Sequence, residues 1–79
     1  MTVQEMNVVF GNNIRRCRKA KGWTLREFAE KVGVCMSLVW NWEKGLNLAS
    51  AKNLLTLARL FDVEVWQLFY TDTVVKIEG

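Results

Sequence analysis

Seventy-nine residues are enough for one small hydrophobic core and leave nothing over for a second. About half the chain is apolar (51%), 24% is charged and proline is absent, a balance that suits a folded domain and excludes disorder, collagen and low complexity. The net charge of +3 is lopsided: residues 1–31 carry seven bases against three acids (+4), and residues 32–79 four bases against five acids (−1).

With no proline available, helices must be started by capping side chains and stopped by glycine, and these signals divide the chain into five helices. The first is expected over about Asn7 to Lys21, with Val9 or Phe10, Ile14, Cys17 and Arg18 on one face and Arg15, Arg16 and Lys19 turned elsewhere. Gly22 ends it. Thr24-Leu25-Arg26-Glu27 reads as a capping box, so the second helix starts at Leu25, buries Phe28, Ala29 and Val32, and stops at Gly33. The third runs from about Met36 to Lys44, closed by Gly45, with Val39 and Trp42 facing inward. Ser50 can cap a fourth helix whose Leu54, Leu57, Ala58 and Phe61 repeat at helical spacing. Asp62 and Val63 break the chain before a fifth, Glu64 to Tyr70, and both Trp23 and Trp66 fall on apolar stripes that read as core. The tail Thr73 to Glu78 is β-branched with a partial period of two; it reads as a strand or a frayed end, with the strand preferred. The expected architecture is all-α, one helix-turn-helix domain over residues 1–79 with its core at about 7–70 and a tail at 71–79.

The same residues narrow the chemistry. Histidine is absent, and Cys17 with Cys35 cannot complete a four-ligand zinc site or form a redox pair, so neither an enzyme, a metal nor a cofactor is expected. No run is long and apolar enough for a membrane span and the N-terminus lacks a basic leader, which points to the reducing cytoplasm. The basic front half is either a footprint for phosphates or an ordinary solvated helix face.

What carries a function is the pair of short helices at Leu25 to Val32 and Met36 to Lys44, joined by a three-residue turn containing glycine. Ala29 must be small where the helices cross, Gly33 must take a positive φ, and Val39 and Trp42 must fill the wedge between them. With these positions in place, the chain from Gly11 to Phe69 resembles the Xre/Cro-like family, the lambda-repressor-like DNA-binding domains of phage and bacterial regulators. The matching stretches are Ile14-Arg15-Arg16-Cys17-Arg18, Gly22-Trp23-Thr24, Phe28 to Val34, Val39 to Gly45, Leu54 to Ala58 and Phe61-Asp62-Val63. The resemblance implies a structural ion pair between Arg18 and Glu43. It also implies that the third helix reads the major groove of double-stranded DNA with Cys35, Met36, Ser37 and Asn41. Asn41 can pair bidentately with adenine, Ser37 can bond any base edge and Met36 can touch a thymine methyl. Phosphates would be held by the Thr24 and Leu25 amides, Arg26, Lys44, Asn47 and Lys52.

Three features depart from the family pattern: Leu25 stands where glutamine is usual, the loop Leu46-Asn47-Leu48 lacks the common basic residues, and Met36, Leu38 and Trp40 give the third helix an apolar outer face. They keep a second reading open, in which that face binds a protein partner. Under the DNA reading a homodimer is expected, because one unit buries too little surface for specific binding, with Trp66, Phe69, Tyr70, Val75 and Ile77 at the interface. Cys35, at the start of the third helix, should be exposed with a lowered pKa, as a redox-sensitive thiol or simply as a poor cap.

Overall fold

The computed structural model describes residues 1–71. It contains α1 (Val3–Lys21), α2 (Leu25–Val32), α3 (Met36–Glu43), α4 (Ala51–Phe61) and a 3₁₀ helix (Val65–Phe69). The fold is all-α, and no strand occurs among the described residues. The tail read as a strand, with Val75 and Ile77, lies outside them.

Helix α1 starts at Val3, four residues before the expected Asn7. A capping box at the very start does this: the Thr2 hydroxyl accepts the Glu5 amide (3.1 Å) and the Glu5 carboxylate accepts the Thr2 amide (2.8 Å). The bond from the Thr2 amide also holds the Glu5 carboxyl below its ordinary pKa. At the other end Gly22 takes φ +74, and its amide reaches back to Arg18 and Lys19. The Thr24–Glu27 capping box forms as the sequence suggests, and Gly33 ends α2 at φ +86. Helix α3 is one residue shorter than expected: Lys44 caps it and Gly45 takes φ +74. The Ser50 hydroxyl accepts the Asn53 amide to start α4.

The core gathers Phe10 and Ile14 from α1, Phe28 and Ala29 from α2, Val39 and Trp42 from α3, Leu57 and Phe61 from α4, and Leu68 from the 3₁₀ helix. Trp23 stacks on Phe61, which tilts against Phe28, while Trp42 meets the edge of Phe10 and Phe10 stacks on Phe69. Val32, expected to be buried, and Leu54, on the helical stripe of α4, are only partly buried at the margin of the core.

The fifth element differs most from expectation. It is a five-residue 3₁₀ helix rather than an α-helix from Glu64 to Tyr70, and Leu68 is its one buried residue. So short an element has room to turn few side chains inward. Trp66, read as core, is 60% exposed and lies edge-on against Tyr70. Phe69, expected at a dimer interface, turns inward onto Phe10. Asn13 ties this element to α1, its Nδ2 donating to the carbonyls of both Leu68 and Tyr70 at 2.8 Å.

Candidate nucleic-acid interface

Helices α2 and α3 are held at a fixed angle by their turn. The Gly33 and Val34 amides both donate to the Ala29 carbonyl (2.8 and 3.1 Å), which bends the chain back within three residues. Ala29, Val39 and Trp42 are all buried between the helices, so the positions singled out in the sequence meet in space. One face of α3 is thereby fixed to the core and the opposite face is left to solvent.

On that outer face Ser37 is exposed, Met36 is 46% exposed and Trp40 44% exposed, with the Lys44 ammonium 5.5 Å from the Trp40 ring centroid. Asn41 is half-buried, and its carbonyl accepts the Leu46 amide at 3.0 Å. Leu38 is a correction to the expected apolar patch: it is partly buried and packs on the core, so the exposed apolar surface of α3 reduces to Met36 and Trp40. Cys35 is exposed and makes no side-chain capping bond; its thiol lies 3.3 Å from the Ser37 hydroxyl, which lowers its pKa. Burial acts the other way on Cys17 and pushes its thiol up.

The expected phosphate contacts lie around this face. Arg26, Lys44, Asn47 and Lys52 are exposed, with Arg26 in the first turn of α2 and Lys52 in the first turn of α4. The Thr24 amide, expected to hold a phosphate, already donates to the Glu27 carboxylate; the Thr24 hydroxyl accepts the Glu27 amide and keeps its own hydrogen as a donor. The Leu25 amide, at the first position of α2, has no acceptor within its own helix. The Leu25 side chain packs against the core.

Behind α3, Arg18 and Glu43 form a two-pronged pair. Arg18 Nε donates to Glu43 Oε2 at 2.7 Å and Nη2 to Oε1 at 3.0 Å, while Nη1 donates to the Trp23 carbonyl at 2.9 Å. The side chains are 13% and 6% exposed. The pair therefore joins the C-terminal half of α1 to the end of α3 and the turn before α2.

Gly11 and Asn13 were not singled out by any pattern in the sequence. A Cβ on Gly11 would run into the Trp42 carbonyl and lie 3.2 Å from that of Glu43, so the missing side chain is what lets α1 approach the end of α3. Gly11 stands mid-helix, where nothing local separates a packing glycine from a merely weak helix former.

The helix-turn-helix family matches this sequence over residues 14–65. Among solved structures, the restriction-modification controller protein C.AhdI from Aeromonas hydrophila is 36% identical. The match covers 80% of this chain and 96% of that one, with a TM-score of 0.72. The clp gene regulator ClgR from Corynebacterium glutamicum is 27% identical over 80% of this chain and 67% of its own, also at a TM-score of 0.72. A hypothetical transcription factor, NHTF from Neisseria, is 23% identical and shares the fold over the whole of this chain and 91% of its own, with a TM-score of 0.84. No curated protein gives a significant match.

Proposed function

The chain belongs to the helix-turn-helix family, and from that premise we propose that it is a DNA-binding transcription regulator that reads double-stranded DNA in the major groove with α3, as a homodimer in the cytoplasm. The observation that carries this reading is the asymmetry of α3: Val39 and Trp42 fix one face, while the side that carries Met36, Ser37 and Trp40 stands open. The controller protein and the clp gene regulator, both similar in sequence as well as fold, support the regulatory role. Ser37 and Asn41 supply base-edge hydrogen bonds and Met36 an apolar contact, with Cys35 beside them at the helix start. The Leu25 amide, Arg26, Lys44, Asn47 and Lys52 hold phosphates on either side.

Base and phosphate contacts leave different signatures. With an operator selected from random DNA by the purified protein, Asn41→Ala is expected to cost about 1–3 kcal/mol on that operator and almost nothing on unrelated DNA. Arg26→Ala is expected to weaken both alike and flatten the logarithmic salt dependence by about one unit. Equal losses from Asn41→Ala on both sequences would remove it from base reading.

Dimerisation is assigned to Trp66 and Tyr70, whose rings meet edge-on at the surface, with Val75 and Ile77 of the tail adding to them. Two-fold pairing would set two α3 helices about 34 Å apart, one turn of DNA. Sedimentation at micromolar concentration is expected to show a dimer that Trp66→Glu converts to monomer. A monomeric parent protein would end this proposal.

Met36 and Trp40 favour a second reading, in which the open face of α3 binds a protein. Trp40→Ala would then cost about 2 kcal/mol or more of partner binding, while Asn41→Ala and Arg26→Ala would change nothing. Failure of the selection to enrich any sequence would favour it.

A further inference from the structure

A cleft of about 380 Å³ opens between α1 and the 3₁₀ helix, lined by Arg16 and Cys17 on one wall and by Val63, Trp66, Gln67 and Tyr70 on the other. We infer that this cleft faces its own copy in the dimer: its α1 wall, carrying Arg16 and Lys19, meets the wall of the partner subunit that carries Asp62 and Glu64. The inference rests on the homodimer reading and adds to it a charge pairing and the direction of the two-fold axis.

The two walls carry opposite charge. Arg16 lies on the α1 wall, and Lys19, one turn further along the helix, joins it in a neighbouring shallow cleft. Asp62 and Glu64 flank Val63 where the chain between α4 and the 3₁₀ helix enters the opposite wall, and all four charged residues are exposed. Among the described residues neither Asp62 nor Glu64 is in an ion pair. Folding alone does not call for the charge on Asp62. It ends α4 at φ 56, in the left-handed region that glycines occupy at the ends of α1 and α2, and it sets a carboxylate at the negative pole of the α4 dipole. A glycine or an asparagine would close the helix without that repulsion.

Trp66, more than half exposed, meets Tyr70 edge-on in the cleft. The surface thus has an aromatic centre and a charged rim, the anatomy of a contact between protein chains. In a two-fold contact, a residue that touches a second one on the partner subunit is touched by that second one in return. A two-fold axis directed across the cleft would set cation against cation and acid against acid. An axis directed along the cleft sets each wall against the opposite wall of the partner, and charge selects this arrangement. One surface thereby supplies both halves of its own complement, with a cation–carboxylate group on either side of the paired Trp66 rings.

Two variants of the full chain test the pairing by sedimentation without DNA. One carries Arg16→Glu and Lys19→Glu, which makes both walls acidic; the other carries Asp62→Lys and Glu64→Lys, which makes both basic. Each alone is expected to dimerise on the order of a hundredfold more weakly than the parent, because like charges then face each other on both sides of the axis. Mixed in equal amounts, the two are expected to pair with each other about as tightly as the parent pairs with itself, since every wall then meets its opposite. Arg26→Glu with Lys52→Glu, an equal change of charge in the first turns of α2 and α4, should leave the parental dimer as it is. Thermal unfolding of each variant checks that the fold is kept. The parent dimer should itself loosen severalfold as salt is raised to about 1 M, a readout that needs no variant. Folded variants that dimerise like the parent, a mixture of them that stays monomeric, or a parent dimer indifferent to salt would each overturn the pairing and leave the dimer standing. Should the parent be monomeric, the homodimer reading fails first and the pairing falls with it.

Discussion

Glu43→Ala is expected to destabilise the fold by about 3–5 kcal/mol. The carboxylate is almost fully buried and accepts both bonds from a guanidinium that is itself only slightly exposed. Removing it leaves the Arg18 charge in the protein with one remaining partner, the Trp23 carbonyl. Arg18→Ala strands the Glu43 carboxylate in the same way and also releases that carbonyl, so its cost should be at least as large. The double variant strands no charge and should recover part of the loss, a coupling that exposed pairs rarely reach. Denaturant midpoints of the four proteins measure it, with Arg26→Ala as an exposed reference expected to change stability by no more than about 0.5 kcal/mol. Strictly additive losses would mean that the pair does not hold α1 to α3.

For Gly11→Ala the sign of the effect is the informative part. In an exposed helix the change would stabilise by about 1 kcal/mol, because alanine loses less conformational entropy than glycine. Here the added methyl meets the carbonyls of Trp42 and Glu43. Neither can swing aside, for both belong to the end of α3, and the Trp42 oxygen accepts the Gly45 amide at 3.0 Å. Helix α1 would have to move away, opening the contact between Phe10 and Trp42 and stretching the Arg18–Glu43 pair. A net destabilisation of about 1–3 kcal/mol is expected by urea unfolding, against a change within about 0.5 kcal/mol for Asn12→Ala at the exposed neighbouring position. A more stable Gly11→Ala protein would show that the helices do not approach so closely.

These two residues were unequally legible in the sequence. The Arg18–Glu43 pair was reached only through a family resemblance, since 25 positions separate the residues and no local rule joins them. Gly11 gave no signal, because a glycine inside a helical run looks the same whether it is a defect or a close approach. Of the expected contacts with DNA, the outer position of Ser37 and Met36 follows from helical periodicity once Val39 and Trp42 are placed inward. The loss of the Thr24 amide as a donor was implicit in its own capping box: a Glu27 carboxylate that caps the helix engages that amide.

Where most helices start and stop, and that α2 and α3 form a helix-turn-helix, is encoded locally. Each of these follows from interactions within a few residues, such as Thr24 with Glu27, Ser50 with Asn53, and the positive φ open to Gly22 and Gly33. The Thr2–Glu5 box belongs to the same class, and α1 could have been started there on identical grounds. The rest depends on how distant elements pack. Whether Trp66 faces in or out depends on the 3₁₀ helix docking on α1, fixed by Asn13 across 55 and 57 positions. Leu38 and Phe69 turn inward because neighbouring elements offer them surface, and the cleft beside Arg16 exists only once α1 and the 3₁₀ helix are brought together. Local capping and helical periodicity are encoded within one turn of chain, whereas burial and the meeting of distant side chains depend on how the elements pack.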